Sequence, residues 1–170
     1  IFGQPVTRRE DARLVTGAGR YVDDVVLPGM LHMALVRSDH GHARILSVDT
    51  TVAAAADGVV AVLTGADFAA LGWGDLPCES MVPAITRGQW IRTPFPALPM
   101  DRVRVIGDPV ALVIAETRRQ AQSAAELVDC AYEPLPLVAT LEAALAEGAP
   151  QLYPDAPGNL CFDATIGDAA

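Results

Sequence analysis

Two histidines and two arginines crowd into Arg37–Arg44, RSDHGHAR, between two apolar runs. If this stretch is extended, His40 and His42 share one face, because side chains two apart on a strand point the same way. Imidazoles so placed could hold a metal, but a site needs three or four ligands. His32 on the preceding run and the carboxylates of Asp39 and Asp49 are the candidates to complete it. No recognised ligand spacing is present. The competing reading is a polar turn whose imidazoles hydrogen-bond to backbone or meet a neighbouring domain.

The other chemistry-bearing residues are weaker still. Gly17-Ala18-Gly19 looks like part of a phosphate loop, but Val22 stands where a third glycine belongs and no strand precedes it. Glu10-Asp11 and Asp23-Asp24 are adjacent carboxylates. On an extended chain neighbours face opposite ways, so neither pair makes an acid–base dyad, and solvation or an ion pair with an arginine is expected. No G-x-S-x-G elbow occurs. Cys78, Cys130 and Cys161 are far apart and form no C-x-x-C, so neither a zinc knuckle nor an iron–sulfur loop is encoded. They read as buried small hydrophobes in a reducing compartment, which points to the cytoplasm. The residues thus assign no catalytic, cofactor-binding or metal-ligating side chain.

The elements that would position these groups belong to an α+β chain. At 170 residues one domain is the default, and folding buries roughly 70% of the unfolded surface at this size. Half the residues are hydrophobic, which excludes a disordered chain. With 12 basic and 21 acidic residues the net charge is -9, unsuited to a phosphate backbone, so nucleic acid is not an expected partner. Every basic residue is Arg. No apolar run approaches the ~18 residues of a membrane span. The first residue is Ile1 rather than Met, so a preceding leader is compatible with the sequence.

Residues 1–19 read as a leading arm with one helical turn near Glu10–Leu14. Leu31–Val36 alternates as a strand, Ile45–Val48 is a second, and the Gly41-containing segment between them suggests a hairpin. Thr50 is positioned to cap a helix Thr51–Ala56, stopped by Gly58; Val59–Leu63 reads as a buried strand. Thr64 and Asp67 open a helix through Leu71. Val103–Ile106 and Pro109–Ala115 are strands split by Gly107-Asp108. Thr117-x-x-Gln120 is a capping box for a helix Arg118–Val128, whose alanines at 121, 124 and 125 make one small apolar face. Cys130–Glu133 returns as a strand, Thr140 caps a last helix Leu141–Glu147, and the proline-rich tail 149–170 reads as a linker. Between Gly72 and Pro99 five prolines break any regular element. That excursion reads as a docking surface anchored by Trp73 and Trp90, or as a loop folded back on its own domain.

Three segments, REDARLVTGAGRYVDDVVLPGMLHMALVRSDHGHARILSVDT, GVVAVLTGADF and VIGDPVALVIAETRRQAQSAAELVDCAYEPLP, resemble in order and spacing the large subunit of molybdenum hydroxylases. These are the xanthine dehydrogenase, aldehyde oxidase and aerobic carbon monoxide dehydrogenase family. The resemblance implies its α/β hammerhead domain over 20–148, with a mixed sheet and flanking helices, and a linker at 149–170 leading towards molybdenum-binding domains. It implies a parent oxidoreductase that hydroxylates an aldehyde or N-heterocycle with oxygen from water, or oxidises carbon monoxide. Molybdenum–molybdopterin, [2Fe–2S] clusters and FAD are its cofactors, held outside this chain. The implied partners are the molybdopterin-binding domains and the iron–sulfur and FAD subunits or domains; no membrane is implied, and homo-oligomerisation is left open. The chain alone is expected to be inactive. The other reading is a stand-alone, non-catalytic binding or assembly module of the same fold.

Overall fold

The structure, a computed structural model, describes residues 2–77 and 90–163. Cys78 and the centre of the 72–99 excursion lie outside the described residues. The chain divides into two compact units, Ile1–Met30 and Leu31–Ala170.

In the first unit, helix α1 (Asp11–Val15) is held at its start by Asp11, which accepts the Arg8 N–H at 2.9 Å and pairs with its guanidinium at 3.4 Å. Gly17 takes a positive φ of 72° just after the helix, and Ala18 N–H returns to the Arg13 carbonyl at 2.8 Å. Gly17-Ala18-Gly19 therefore ends a helix instead of opening one, the reverse of a phosphate loop. Asp24 closes a 3₁₀ turn, Val22–Asp24, by accepting Tyr21 N–H at 2.8 Å.

The second unit carries six strands: β1 (His32–Arg37), β2 (Ala43–Asp49), β3 (Val59–Thr64), β4 (Arg102–Val103), β5 (Pro109–Ala115) and β6 (Asp129–Pro134). They form two three-stranded sheets, β1-β5-β3 and β4-β2-β6, and every pairing between them is antiparallel. The expected single mixed sheet is thus divided into two antiparallel ones within the α+β hammerhead. The hairpin expected between β1 and β2 does not form either. β1 pairs with β5, and β2 pairs with β4 and β6. The polar segment between them is a crossing from one sheet to the other.

β5 is the central strand of its sheet, and its apolar run fits that place. Ala111, Val113 and Ala115 are fully buried beneath helix α4 (Arg118–Ala125), which packs Ala121 and Ala124 against β1 and β5. Alanine lets helix and sheet approach closely. Thr117 caps this helix by accepting Gln120 N–H at 3.2 Å, while the Gln120 amide reaches Asp57 at 3.3 Å instead of returning to the backbone. The helix ends at Ala125, short of the expected Val128. β3 lies at the sheet edge and is only partly buried, because β5 has taken the centre.

Helix α3 (Gly65–Ala70) has the capping box read from Thr64 and Asp67: both the Thr64 N–H and its hydroxyl donate to Asp67 at 2.7 Å. Those two bonds from Thr64 hold the Asp67 carboxyl below its ordinary pKa. At α2 (Thr51–Ala54) the expected cap is displaced by one residue. Thr50 makes no side-chain cap bond; Asp49 accepts the Thr51 N–H at 2.9 Å, and bonding to Thr51 lowers its pKa. Helix α5 (Leu141–Leu145) is capped by Thr140, which accepts Ala143 N–H at 3.2 Å.

Two further expectations change. The strand foreseen as Val103–Ile106 is the two-residue β4, because the Asp108 carboxylate takes the N–H groups of Arg104 and Val105 at 2.7 and 3.1 Å. Those donors are lost to any ladder, and Val105 and Ile106 are exposed. The described part of the tail read as a linker folds back. Asn159 accepts Leu152 N–H at 2.9 Å and donates to the carbonyls of Ala144 and Pro150 at 3.0 Å. Proline content alone does not reveal such side-chain bonds.

Candidate functional site at the crossing between the sheets

The crossing Ser38–His42 gathers the residues that raised the question of chemistry. Ser38 continues the β1–β5 pairing by one step: its N–H meets the Asp108 carbonyl at 2.9 Å, and Gly107 N–H meets the Ser38 carbonyl at 2.8 Å. Arg37 adds a bond to the Gly107 carbonyl at 2.8 Å. Gly107 has φ of 88°, a left-handed conformation that favours glycine. The Ser38 hydroxyl then accepts His40 N–H at 3.1 Å, which turns the chain.

The two histidines beyond that turn have separate tasks. His40 sets its ring edge on Tyr132, with centroids 4.9 Å apart, and its Nε2 lies 3.6 Å from Asp39. His42 is buried, 6% exposed, and its Nδ1 lies 2.7 Å from the Pro136 carbonyl. A carbonyl only accepts, so Nδ1 carries a proton there. The His42 carbonyl accepts Leu135 N–H at 2.9 Å, which carries the β2–β6 pairing beyond Pro134. Gly41 leaves room for Leu137, whose Cδ1 would lie 2.9 Å from a Cβ at that position. Arg44 pairs with Glu133 at 3.3 Å across the same two strands.

The candidate ligands are not gathered at one place. His32 stands on β1 opposite Ala115, and Asp49 is at the far end of β2 opposite Asp129. Among the described residues, no group of three or more His, Cys, Asp or Glu side chains lies together in a way that could hold a metal. The His42 imidazole fastens the start of β2 to the segment that leaves β6, within one sheet, and the His40 ring packs on Tyr132.

Below the crossing lies a small core of Ala43, Val103 and Val110, flanked by Val36, Ile45, Cys130 and Tyr132. Cys130 and Tyr132 on β6 are partly buried there. Burial raises the Cys130 thiol pKa, against a lowering hydrogen bond from Tyr132. Burial also pushes Tyr132 up to about 12, although its hydroxyl bonds with Ser38. A thiol shifted upward is less available as thiolate, the opposite of a nucleophile's requirement.

The excursion 72–99 is tied to its own unit at both described ends. Trp73 sets its ring edge on Phe68 at 4.7 Å and remains 55% exposed. Leu76 N–H meets the Phe95 carbonyl at 2.8 Å. Ile91 N–H meets the Cys161 carbonyl at 2.8 Å, and Arg92 lies 5.1 Å over the Trp90 ring. A cavity of about 350 Å³ opens beside Phe68, Trp73, Pro96 and Met100.

Residues 16–136 match the family described as aldehyde oxidase and xanthine dehydrogenase, a/b hammerhead domain. The chain belongs to this family. It is 40% identical over 156 residues to the 6-hydroxypseudooxynicotine dehydrogenase complex subunit gamma of Paenarthrobacter nicotinovorans, covering 90% of this chain and 19% of that protein. It is 42% identical over 149 residues to the carbon monoxide dehydrogenase large chain of Afipia carboxidovorans, covering 87% of this chain and 17% of that one. Among solved structures, quinoline 2-oxidoreductase from Pseudomonas putida 86 superposes with a TM-score of 0.74 at 44% identity, over 86% of this chain and 18% of the other. The hammerhead chain thus spans less than a fifth of the length of these relatives. Among the described residues, no helix of the hammerhead chain is long and apolar enough to cross a membrane.

Proposed function

We propose that this chain is the hammerhead portion of a molybdenum hydroxylase large subunit, and that its function is to support the assembled oxidoreductase. The parent enzyme hydroxylates an aldehyde or N-heterocycle with oxygen from water, or oxidises carbon monoxide. Its molybdenum–molybdopterin, [2Fe–2S] clusters and FAD belong to the rest of the large subunit and to iron–sulfur and FAD subunits or domains, in the cytoplasm. The observation that carries this reading is the family match across 16–136 combined with coverage of only 17–19% of relatives' chains. In this reading the residues at the crossing act through packing and hydrogen bonds, and the redox chemistry belongs to the rest of the parent enzyme.

What the chain contributes is position. Ser38 and Arg37 extend the β1–β5 pairing and His42 extends the β2–β6 pairing, while the bond of the Tyr132 hydroxyl with Ser38 joins the two sheets. A rigid scaffold of this kind holds the groups built on it within the tolerances that catalysis needs. Sequencing the reading frame and its neighbours tests the proposal. Pterin-binding segments in the same or an adjacent frame are expected; an isolated gene confined to this unit would instead favour a stand-alone assembly module.

A further inference from the structure

The cavity of about 350 Å³ beside α3 has the size of clefts that take small molecules. Phe68 of α3 and Trp73 line it, with ring planes at 88° and centroids 4.7 Å apart, and Leu98 and Met100 add apolar surface. Its walls are tied to one another by the backbone. Trp73 N–H meets the Phe68 carbonyl at 3.0 Å, Leu76 N–H meets the Phe95 carbonyl at 2.8 Å, and Asp75 pairs with Pro96 in a single antiparallel bridge. Gly65, at the start of α3, lies so near the next wall that a Cβ there would come within 2.7 Å of the Leu98 carbonyl oxygen. The Asp101 carbonyl accepts Ile45 N–H at 2.9 Å, which fixes the last wall residue to β2. A cleft held in this way is largely formed before a ligand arrives, which lowers the cost of binding.

The charge at the cavity has one sign. Its ionisable lining residues are Asp75 and Asp101, and none of the chain's arginines lines it. Neither carboxylate makes an ion pair or a side-chain hydrogen bond among the described residues. Two uncompensated negative charges beside two aromatic rings select a class of ligand. A carboxylate attracts a cation through its charge, and an aromatic face attracts it through the ring quadrupole, most strongly for tryptophan. An anion would be repelled, and a neutral apolar molecule would leave both carboxylates unpaired. A bare divalent metal ion needs more oxygen ligands than two carboxylates supply and gains nothing from apolar walls. We propose that this cavity binds a small organic cation, a protonated or quaternary amine with an apolar body, through Phe68, Trp73, Asp75 and Asp101. The site is independent of the supporting role given to the unit above.

Trp73 can report its own occupancy. The chain has two tryptophans, so Trp90→Phe in the full 170-residue chain leaves Trp73 as the sole indole emitter. That protein is titrated with benzyltrimethylammonium chloride, whose charge does not depend on pH, at constant ionic strength. The expected result is a saturable change in emission with half-saturation at about 1–10 mM, the affinity that a ligand of this size commands. Benzyl alcohol, which keeps the ring and lacks the charge, should bind at least about tenfold more weakly, and sodium phenylacetate should not saturate. The double variant Asp75→Asn/Asp101→Asn removes both charges at exposed positions and keeps the side-chain shapes, so it should fold with a parent-like urea midpoint and lose at least about tenfold in affinity for the ammonium probe. Equal binding of benzyl alcohol would reduce the cavity to an unselective apolar cleft and overturn the proposal. Undiminished ammonium binding by the double variant would assign the effect to the net charge of the chain and overturn it as well. So would the absence of saturation up to about 50 mM probe.

Discussion

The His42 Nδ1 lies 2.7 Å from the Pro136 carbonyl oxygen, 94 positions further along the chain. One buried imidazole thereby ties the start of β2 to the segment that leaves β6. His42→Leu should destabilise the fold by about 1–3 kcal/mol, from the lost bond and the poor fit of a branched aliphatic chain. His42→Asn should cost less, because its amide can donate to the same carbonyl. Urea midpoints of the two variants check the order; equal values for both and for the parent would show that the bond contributes nothing.

Asp108 is a second fastener. Its carboxylate holds the N–H groups of Arg104 and Val105, and its carbonyl holds Ser38 N–H. Asp108→Ala frees two backbone donors and should cost about 1–3 kcal/mol. Asp108→Asn keeps an accepting oxygen and should cost roughly half as much. Chemical denaturation separates the two variants.

The alanine face of α4 predicts a steric effect. Ala124 is 1% exposed against the sheet. Ala124→Leu should overpack this contact and cost about 1–3 kcal/mol, while Ser123→Leu on the exposed side should stay within about 0.5 kcal/mol. A parent-like urea midpoint for Ala124→Leu would contradict the packing.

The alkaline limb of stability follows from burial near the crossing. The folded pKa of Tyr132 is raised to about 12 from an ordinary 10.0, and Cys130 is raised from 9.0. A raised folded pKa means that the folded state holds its proton longer than the unfolded chain. The associated stability is present below the unfolded pKa and is lost as pH rises through the folded one. Stability should therefore hold level to about pH 9 and decline towards pH 12. Tyr132→Phe should flatten that decline between about 10 and 12. Urea midpoints collected across the range provide the check.

Much of the local structure was legible because its causes are local. Pro109–Ala115 is a run of branched and small residues bounded by Gly107-Asp108 and Glu116, and the strand occupies those limits. The Thr64–Asp67, Thr117 and Thr140 caps are set by residues three apart. Pairing was less legible. Leu35 and Ile45 flank a polar, glycine-containing segment, which is the pattern of a hairpin, yet Leu35 pairs with Leu112 and Ile45 with Tyr132. Which strand wins depends on burial against distant residues, and no short window contains that information. The same holds for His42: its type invited a metal, and only the approach of Pro136 shows what it does. The family resemblance, by contrast, survived in full because it rests on ordered blocks along the chain and not on any single site.

The central claim is that this hammerhead unit supports molybdenum chemistry without holding its cofactors. Metal and flavin content, measured on the isolated chain and on the assembly recovered through a tag on that chain, tests it most directly. The account predicts molybdenum, iron and flavin in fixed ratio in the assembly, and none of the three in the isolated chain. Stoichiometric molybdenum or iron in the isolated chain, or an assembly devoid of molybdenum, would contradict it.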